Sequence, residues 1–311
     1  MTESYTLNQK KKRSDFLLKV TENHTNEQTK GRSLYYDAWI RFKANKVAMT
    51  SLVILFLMTL TVIITPWFSP YHYADQNLSQ ISLAPSIEHI FGTDTLGRDL
   101  FTRVMIGGRI TLEVGLIATV VSVIIGTIYG ALAGFLGGLT DHIMMRIVDI
   151  LYGLPFLFFA ILLITLFGRN FILVFIAIGA VSWLDMARVV RGQTLSLKSK
   201  EFIEAAYVCG VSQRTIVFRH IVRNLIGIVA VYITLTVPLV IMTATFLSFL
   251  GLGIQPPMTD WGGLISDGVL TMPFNYWWQL VIPSIFLTLT LLCFNFVGNG
   301  MRDALDPREH R

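Results

Sequence analysis

Residues 111–135 read TLEVGLIATVVSVIIGTIYGALAGF, a 25-residue run whose one charged residue, Glu113, stands at its start. Wound as an α-helix, a run of that length rises about 38 Å, more than the roughly 30 Å of a bilayer's hydrocarbon core. Gly126, Gly130 and Gly134 recur at every fourth position. Glycines at that spacing line one helix face and let a second backbone come close, which drives packing in lipid. The stretch therefore predicts a membrane-crossing helix with a built-in packing face.

Five further apolar runs occupy 47–68, 147–167, 171–187, 225–250 and 278–297. The chain is 53% hydrophobic and 14% charged, with mean hydropathy +0.60. Soluble domains carry about 25% charged residues, so a soluble enzyme or binding domain is excluded. Runs this long and continuous predict helices, because a barrel would show short alternating segments. The expectation is an all-α membrane protein with six transmembrane helices.

Basic residues fix the expected orientation, since cytoplasmic loops collect Lys and Arg. With six crossings, 21 of the 25 basic residues fall on one side. The other side receives Arg98, Arg103, Arg109 and Arg169. Both termini and the polar stretch 188–224 are thus expected in the cytoplasm. Loops of this kind also account for the net charge of +5, so no nucleic-acid partner is implied. Residues 1–32, lysine-rich and aperiodic, read as a disordered basic cytoplasmic tail. Residues 33–46, where Leu34, Tyr35, Trp39, Ile40 and Phe42 interleave with Asp37, Arg41 and Lys43, read as an amphipathic interfacial helix. The first crossing at 47–68 follows, then an extracytoplasmic loop over 69–110, a five-helix core over 111–300 and a cytoplasmic tail over 301–311. Neither Cys209, in the polar stretch, nor Cys293, in the last run, is placed to form a disulfide. The first apolar run begins after 46 residues with no small-residue cleavage site beside it, so no cleavable signal peptide is expected.

Within the outer loop stand Phe91-Gly92-Thr93-Asp94, Leu96-Gly97-Arg98-Asp99 and then Arg103. Opposite charges beside glycines can tie a tight turn to the start of a helix, or can meet a docking protein. The loop 251–277 has no basic residue and ends at Trp277 and Trp278, read as interfacial anchors. Arg146 and Asp149, three apart, suggest an ion pair within one helical turn. Thr234, Thr236, Thr243, Thr245 and Ser248 fleck the fifth run beside Pro238 and are candidates to face a wet cavity.

The stretch 188–224 carries Glu204-Ala205-Ala206 and, four residues on, Gly210. Small residues beside an acid, closed by glycine, describe a short helix built to be approached closely. No Gly-x-x-x-x-Gly-Lys loop, His-Glu-x-x-His pair or Gly-x-Ser-x-Gly elbow occurs. Glu113, Asp149 and Asp185 lie toward the ends of the apolar runs, so the buried acids of a proton-coupled carrier are missing. The chain lacks an energy source of its own.

These residues resemble, in order, the signatures of ABC importer permeases of the oligopeptide, dipeptide and nickel group. Glu204-Ala205-Ala206 with Gly210 matches the cytoplasmic coupling motif, and Gly92, Asp94, Gly97, Arg98, Asp99 and Arg103 match the signature preceding the second helix. Gly137-Gly138 with Asp141, Arg146 and Asp149 also fits, as do Ser248 to Gly253 with Pro257 and Trp261, and Gly300 to Pro307. The set is most similar to C-type permease subunits of oligopeptide importers and covers about residues 39–308. The resemblance implies the type I importer permease fold in a bacterial cytoplasmic membrane. It further implies a non-catalytic subunit paired with a homologous sister permease, two cytoplasmic ATPases and an extracytoplasmic binding protein. No cofactor would reside in this chain, with ATP and Mg held by the ATPases. Glu204 would contact an ATPase, Ala205 and Ala206 would permit close approach, and Gly210 would end the helix. Where the family often has proline after His-Ile-Val, this chain has Arg223, which implies a less rigid exit from the coupling segment. Dipeptide or nickel-chelate import, and a self-contained channel or secondary transporter, are the competing readings.

Overall fold

The computed structural model describes residues 34–167 and 171–305. The expected tail at 1–32 and the last residues of the C-terminal tail lie outside them. Ten helices longer than a single turn follow one another among the described residues. They are α1 (Leu34–Ala44), α2 (Lys46–Phe68), α3 (Leu100–Leu136), α4 (Gly138–Tyr152) and α5 (Phe156–Phe167), then α6 (Phe171–Lys198) and α7 (Glu201–Val208). The chain ends in α8 (Gln213–Phe249), α9 (Trp261–Thr271) and α10 (Trp278–Leu305). No strand forms among the described residues; Thr93 and Asp99 make an isolated bridge. The protein is all-α.

Four helices, α2, α3, α8 and α10, are long and apolar enough to cross a membrane. Two boundaries differ from the sequence expectation. The loop expected over 69–110 ends at Asp99, and residues 100–110 are the first turns of α3. Arg103 and Arg109 made that stretch look polar. Arg103 is bonded to Asp94 and Arg109 pairs with Glu113 one turn on, at 2.8 Å, so both fit inside a helix. The run 147–167 is two helices, because Pro155 cannot donate a backbone N–H and the chain turns over Gly153–Pro155 between α4 and α5.

α3 is the central post. A Cβ on Gly126 would stand 2.6 Å from the Met186 Cβ, on Gly130 2.4 Å from the Ala187 carbonyl, and on Gly134 2.9 Å from the Arg191 carbonyl. The glycine face of α3 is therefore in backbone contact with α6 over two turns. Gly115 lies as close to Ile241 of α8, and Gly108 to Trp261 of α9. At the far side of the bundle Gly300 of α10 meets Ala48 at the start of α2. The opposite face of α3, with Leu116, Val120, Ile124 and Ile128, is exposed and apolar, suited to lipid or to another membrane chain.

The termini of the long helices sort into two ends. One end holds the loop 69–99, the start of α3, α9 and the start of α10, joined through Val62, Leu100, Val104, Trp261 and Trp278. The other holds α1, the start of α2, the end of α10, the end of α3 and α7. About 55 Å of helix separates them along α3.

Candidate functional site

At the first end a carboxylate gathers the chain. Asp94 Oδ1 accepts the Leu96 and Arg98 backbone amides at 2.8 and 2.9 Å. Its Oδ2 accepts Arg98 Nε at 2.7 Å and Arg103 Nη1. Asp99 caps α3 by accepting the Thr102 amide and hydroxyl at 2.8 Å, and its other oxygen meets His89 Nδ1 at 2.9 Å. Asp94, Arg98, Asp99, Arg103 and His89 are all buried. Burial pushes the Asp94 carboxyl up, but Arg103, Arg98 and the two amides outweigh it and hold the group below the usual carboxylate range.

The glycines make room for this knot. Gly97 has φ +70° and a Cβ there would lie 1.8 Å from the Asn77 carbonyl. Gly92 has φ +75° and its missing Cβ lets the Leu83 carbonyl and the Trp278 indole approach. Trp278 donates to the Thr93 carbonyl at 3.3 Å and is buried, so the expected interfacial anchor is a piece of the knot, while Trp277 stays half exposed. Trp261 is fully buried, donating through Nε1 to the Val104 carbonyl at 2.9 Å. The signature residues Gly92, Asp94, Gly97, Arg98, Asp99 and Arg103 thus come together in one place.

At the second end α7 lies on a seat formed by α3, α6 and the start of α8. Ile203 and Ala206 are buried there among Phe135, Val190, Ile216, Val217 and Ile221. Glu201, Phe202, Glu204, Ala205, Tyr207 and Val208 face outward, Val208 with 89% of its surface exposed. Two acids in the first turn suit the helix dipole. The Glu204 carboxylate has no hydrogen bond or ion pair among the described residues; its backbone amide donates to the Lys200 carbonyl at 3.3 Å. The helix closes with Gly210 at φ +74°; the Gly210 amide donates to Tyr207 O and the Val211 amide to Ala206 O, each 3.0 Å. That double bond pattern, with glycine in the left-handed region, is a Schellman cap.

One expectation is corrected here: Ala206 is not free for an approaching partner, since it is turned into the protein's own core. Ile203 three residues earlier carried the signal, for apolar residues three apart mark the seated face of a helix. Past the cap, Ser212 starts α8, whose residues Ile216–Ile221 form a π-helical turn. Arg223 is exposed in a helix that continues without a break to Phe249.

α4 braces the same end. Arg191 grips Asp141 with two bonds of 2.5 and 2.6 Å, and Arg188 holds Asp149 at 2.9 Å while stacking 4.3 Å from the Tyr152 ring centre. Asp149 therefore pairs with α6 across 39 residues rather than with Arg146. Between the α4–α5 turn, α6 and α8 opens a cavity of about 590 Å³ lined by Tyr152, Pro155, Ser182, Asp185, Tyr232, Thr236 and Thr243. Of the threonines and serine singled out in sequence, Thr236 and Thr243 reach this cavity, and both hydroxyls return to their own helix at 2.7 and 2.8 Å. Thr234 packs by Gly298, and Thr245 and Ser248 are buried elsewhere.

The family described as "Binding-protein-dependent transport system inner membrane component" matches residues 87–311. The family described as "N-terminal TM domain of oligopeptide transport permease C" matches residues 33–85. The oligopeptide transport system permease protein OppC of Haemophilus influenzae is 53% identical over 311 residues, covering 99% of this chain and 100% of that protein. OppC of Escherichia coli K12 is 57% identical over 284 residues, 91% of this chain and 94% of that one. The dipeptide transport system permease protein DppC of Bacillus subtilis is 44% identical over 298 residues, 95% and 93% of the two chains.

Proposed function

The chain belongs to the family of binding-protein-dependent transport system inner membrane components, and from that premise we propose that it forms half of the pathway by which oligopeptides cross the cytoplasmic membrane. It is a multi-pass membrane permease subunit of an ABC importer. The oligopeptide assignment rests on the relatives named for that substrate, with identity above one half. The other half of the pathway is a homologous sister permease facing α5, α6 and α8. ATP and Mg belong to two ATPase subunits, and peptide arrives on an extracytoplasmic binding protein.

Six crossings are proposed: α2, α3, the broken α4–α5 pair, α6, α8 and α10. The charge asymmetry supports a cytoplasmic location for both termini and α7, and the clustering of α1, α7 and the end of α10 at one end fits an even number of crossings. The core over 111–300 and the interfacial helix at 33–46 belong to the same reading.

The observation that carries the mechanism is the division of α7 into a seated face and a bare one. Ile203 and Ala206 lock it to α3, α6 and α8, while Glu204 and Ala205 stand outward without partners. A groove in an ATPase that receives Glu204 and Ala205 can push on α7, and the seat passes the push to α6 and α8. Gly210 holds the end of the lever by its left-handed cap. The knot at 92–103 and the glycines at 126, 130 and 134 keep the bundle rigid enough to be moved as a unit.

Cross-linking tests this reading. In the assembled complex with Cys209→Ser, a cysteine placed by Ala205→Cys is expected to cross-link to an ATPase subunit, and one placed by Ala206→Cys to remain unreactive. Equal reactivity at both positions, or none at Ala205→Cys, would contradict it.

A further inference from the structure

Among the described residues lining the cavity between the α4–α5 turn, α6 and α8, one is charged: Asp185. Its carboxylate is exposed and makes no hydrogen bond or ion pair with any described residue. A cation stands one helical turn away, in the position where α-helical ion pairs form. It is Arg188, and its guanidinium is committed to Asp149 at 2.9 Å and to the Tyr152 ring at 4.3 Å. Around the carboxylate the wall carries Ser182, Tyr232, Thr236 and Thr243, with Pro155 at the helix break opposite. An acid left without a partner on a helix in a membrane chain is costly, and such groups mark ligand pathways.

We propose that Asp185 is a transient docking point for the side-chain ammonium or guanidinium group of a passing peptide. The proposal rests on the reading of this chain as a peptide permease subunit and narrows it to a charge preference. A single carboxylate in a wet cavity of about 590 Å³ attracts a cationic end without holding it, because water screens the pair. The threonine and serine hydroxyls of the wall satisfy their own backbones: Ser182, Thr236 and Thr243 each donate to the carbonyl four residues earlier. They offer a polar surface that does not compete strongly for the peptide. The site favours cationic over anionic peptides and releases both.

The test uses the complete complex in proteoliposomes with saturating binding protein. Initial uptake rates are measured for three peptides of equal length: one with lysine side chains, one with alanine, one with glutamate. Asp185→Asn is expected to lower the lysine-to-glutamate rate ratio by about fivefold, the effect of one water-screened ion pair. Asp185→Glu is expected to keep the ratio, and Asp185→Lys to invert it. The N-terminal ammonium is common to all three peptides and cancels in the ratio; an alanine-peptide rate unchanged in Asp185→Asn supports a side-chain contact, and one that falls as far as the lysine-peptide rate contradicts it. A ratio constant across all variants overturns the proposal, as does an equal loss for all three peptides in Asp185→Asn. If the wild-type complex imports none of the peptides while its ATPase runs, the peptide-permease reading fails instead.

Discussion

Two clusters of small and acidic residues sit at opposite ends of α3, and the protein uses them in opposite ways. Around Asp94, carboxylates, guanidinium groups and a histidine are buried and bonded to one another. Around Glu204 the acid is bare and only the apolar side of the helix is fixed. Both contain Gly at positive φ, yet Gly97 is hemmed by the Asn77 carbonyl while Gly210 has open space around it. The contrast separates two uses of charge. A buried, mutually bonded cluster sets shape, and its removal strands partners. An exposed, unpaired acid on a well-seated helix contributes little to stability and is free to be read by another chain.

Variants at the two ends should break this symmetry in a graded way. Asp94→Ala leaves Arg98 and Arg103 buried without their carboxylate, a loss of about 3–5 kcal/mol. The detergent-solubilised complex should melt far lower or fail to assemble; a melting point within a degree of wild type would contradict the knot. Gly130→Ala drives a methyl into the Ala187 carbonyl and should cost about 1–3 kcal/mol through separation of α3 from α6. Melting curves check it, with Gly179→Ala, where a Cβ has open space, as the mild control.

Acid sharpens the same contrast. The Asp94 carboxyl is held below its ordinary range, so its contribution is fully present above the unfolded value of about 4 and lost as pH falls through the native one. The stability gap between wild type and Asp94→Asn should therefore be constant from neutral pH to about pH 4 and shrink below it. A gap that widens on acidification would contradict the assignment. Gly210→Ala forces a side chain into the left-handed region and should cost about 1 kcal/mol, a small shift in melting with a larger loss of uptake. Glu204→Lys, on the bare face, should move stability by less than about 0.5 kcal/mol.

Much of this was legible in the chain. The apolar runs, their glycine spacing and the short helix closed by Gly210 follow from local chemistry. What could not be read was register across the bundle. Asp149 chooses Arg188 over Arg146 because α4 lies against α6, a relation 39 residues long. Asp185 looked like an end-of-span acid until the α4–α5 break opened a cavity beside it. The charged start of α3 read as loop because its satisfaction comes from Asp94, outside the helix. The burial of Ala206 was within reach, since Ile203 sets the phase of an eight-residue helix, but coupling chemistry drew both alanines to the surface.

The central claim, that α7 receives work rather than building the fold, has a direct measurement. Purified complexes carrying Glu204→Lys are compared with wild type for thermal unfolding and for peptide uptake coupled to ATP hydrolysis. The account predicts an unchanged melting curve with uptake abolished; unchanged melting with unchanged coupled uptake would contradict it.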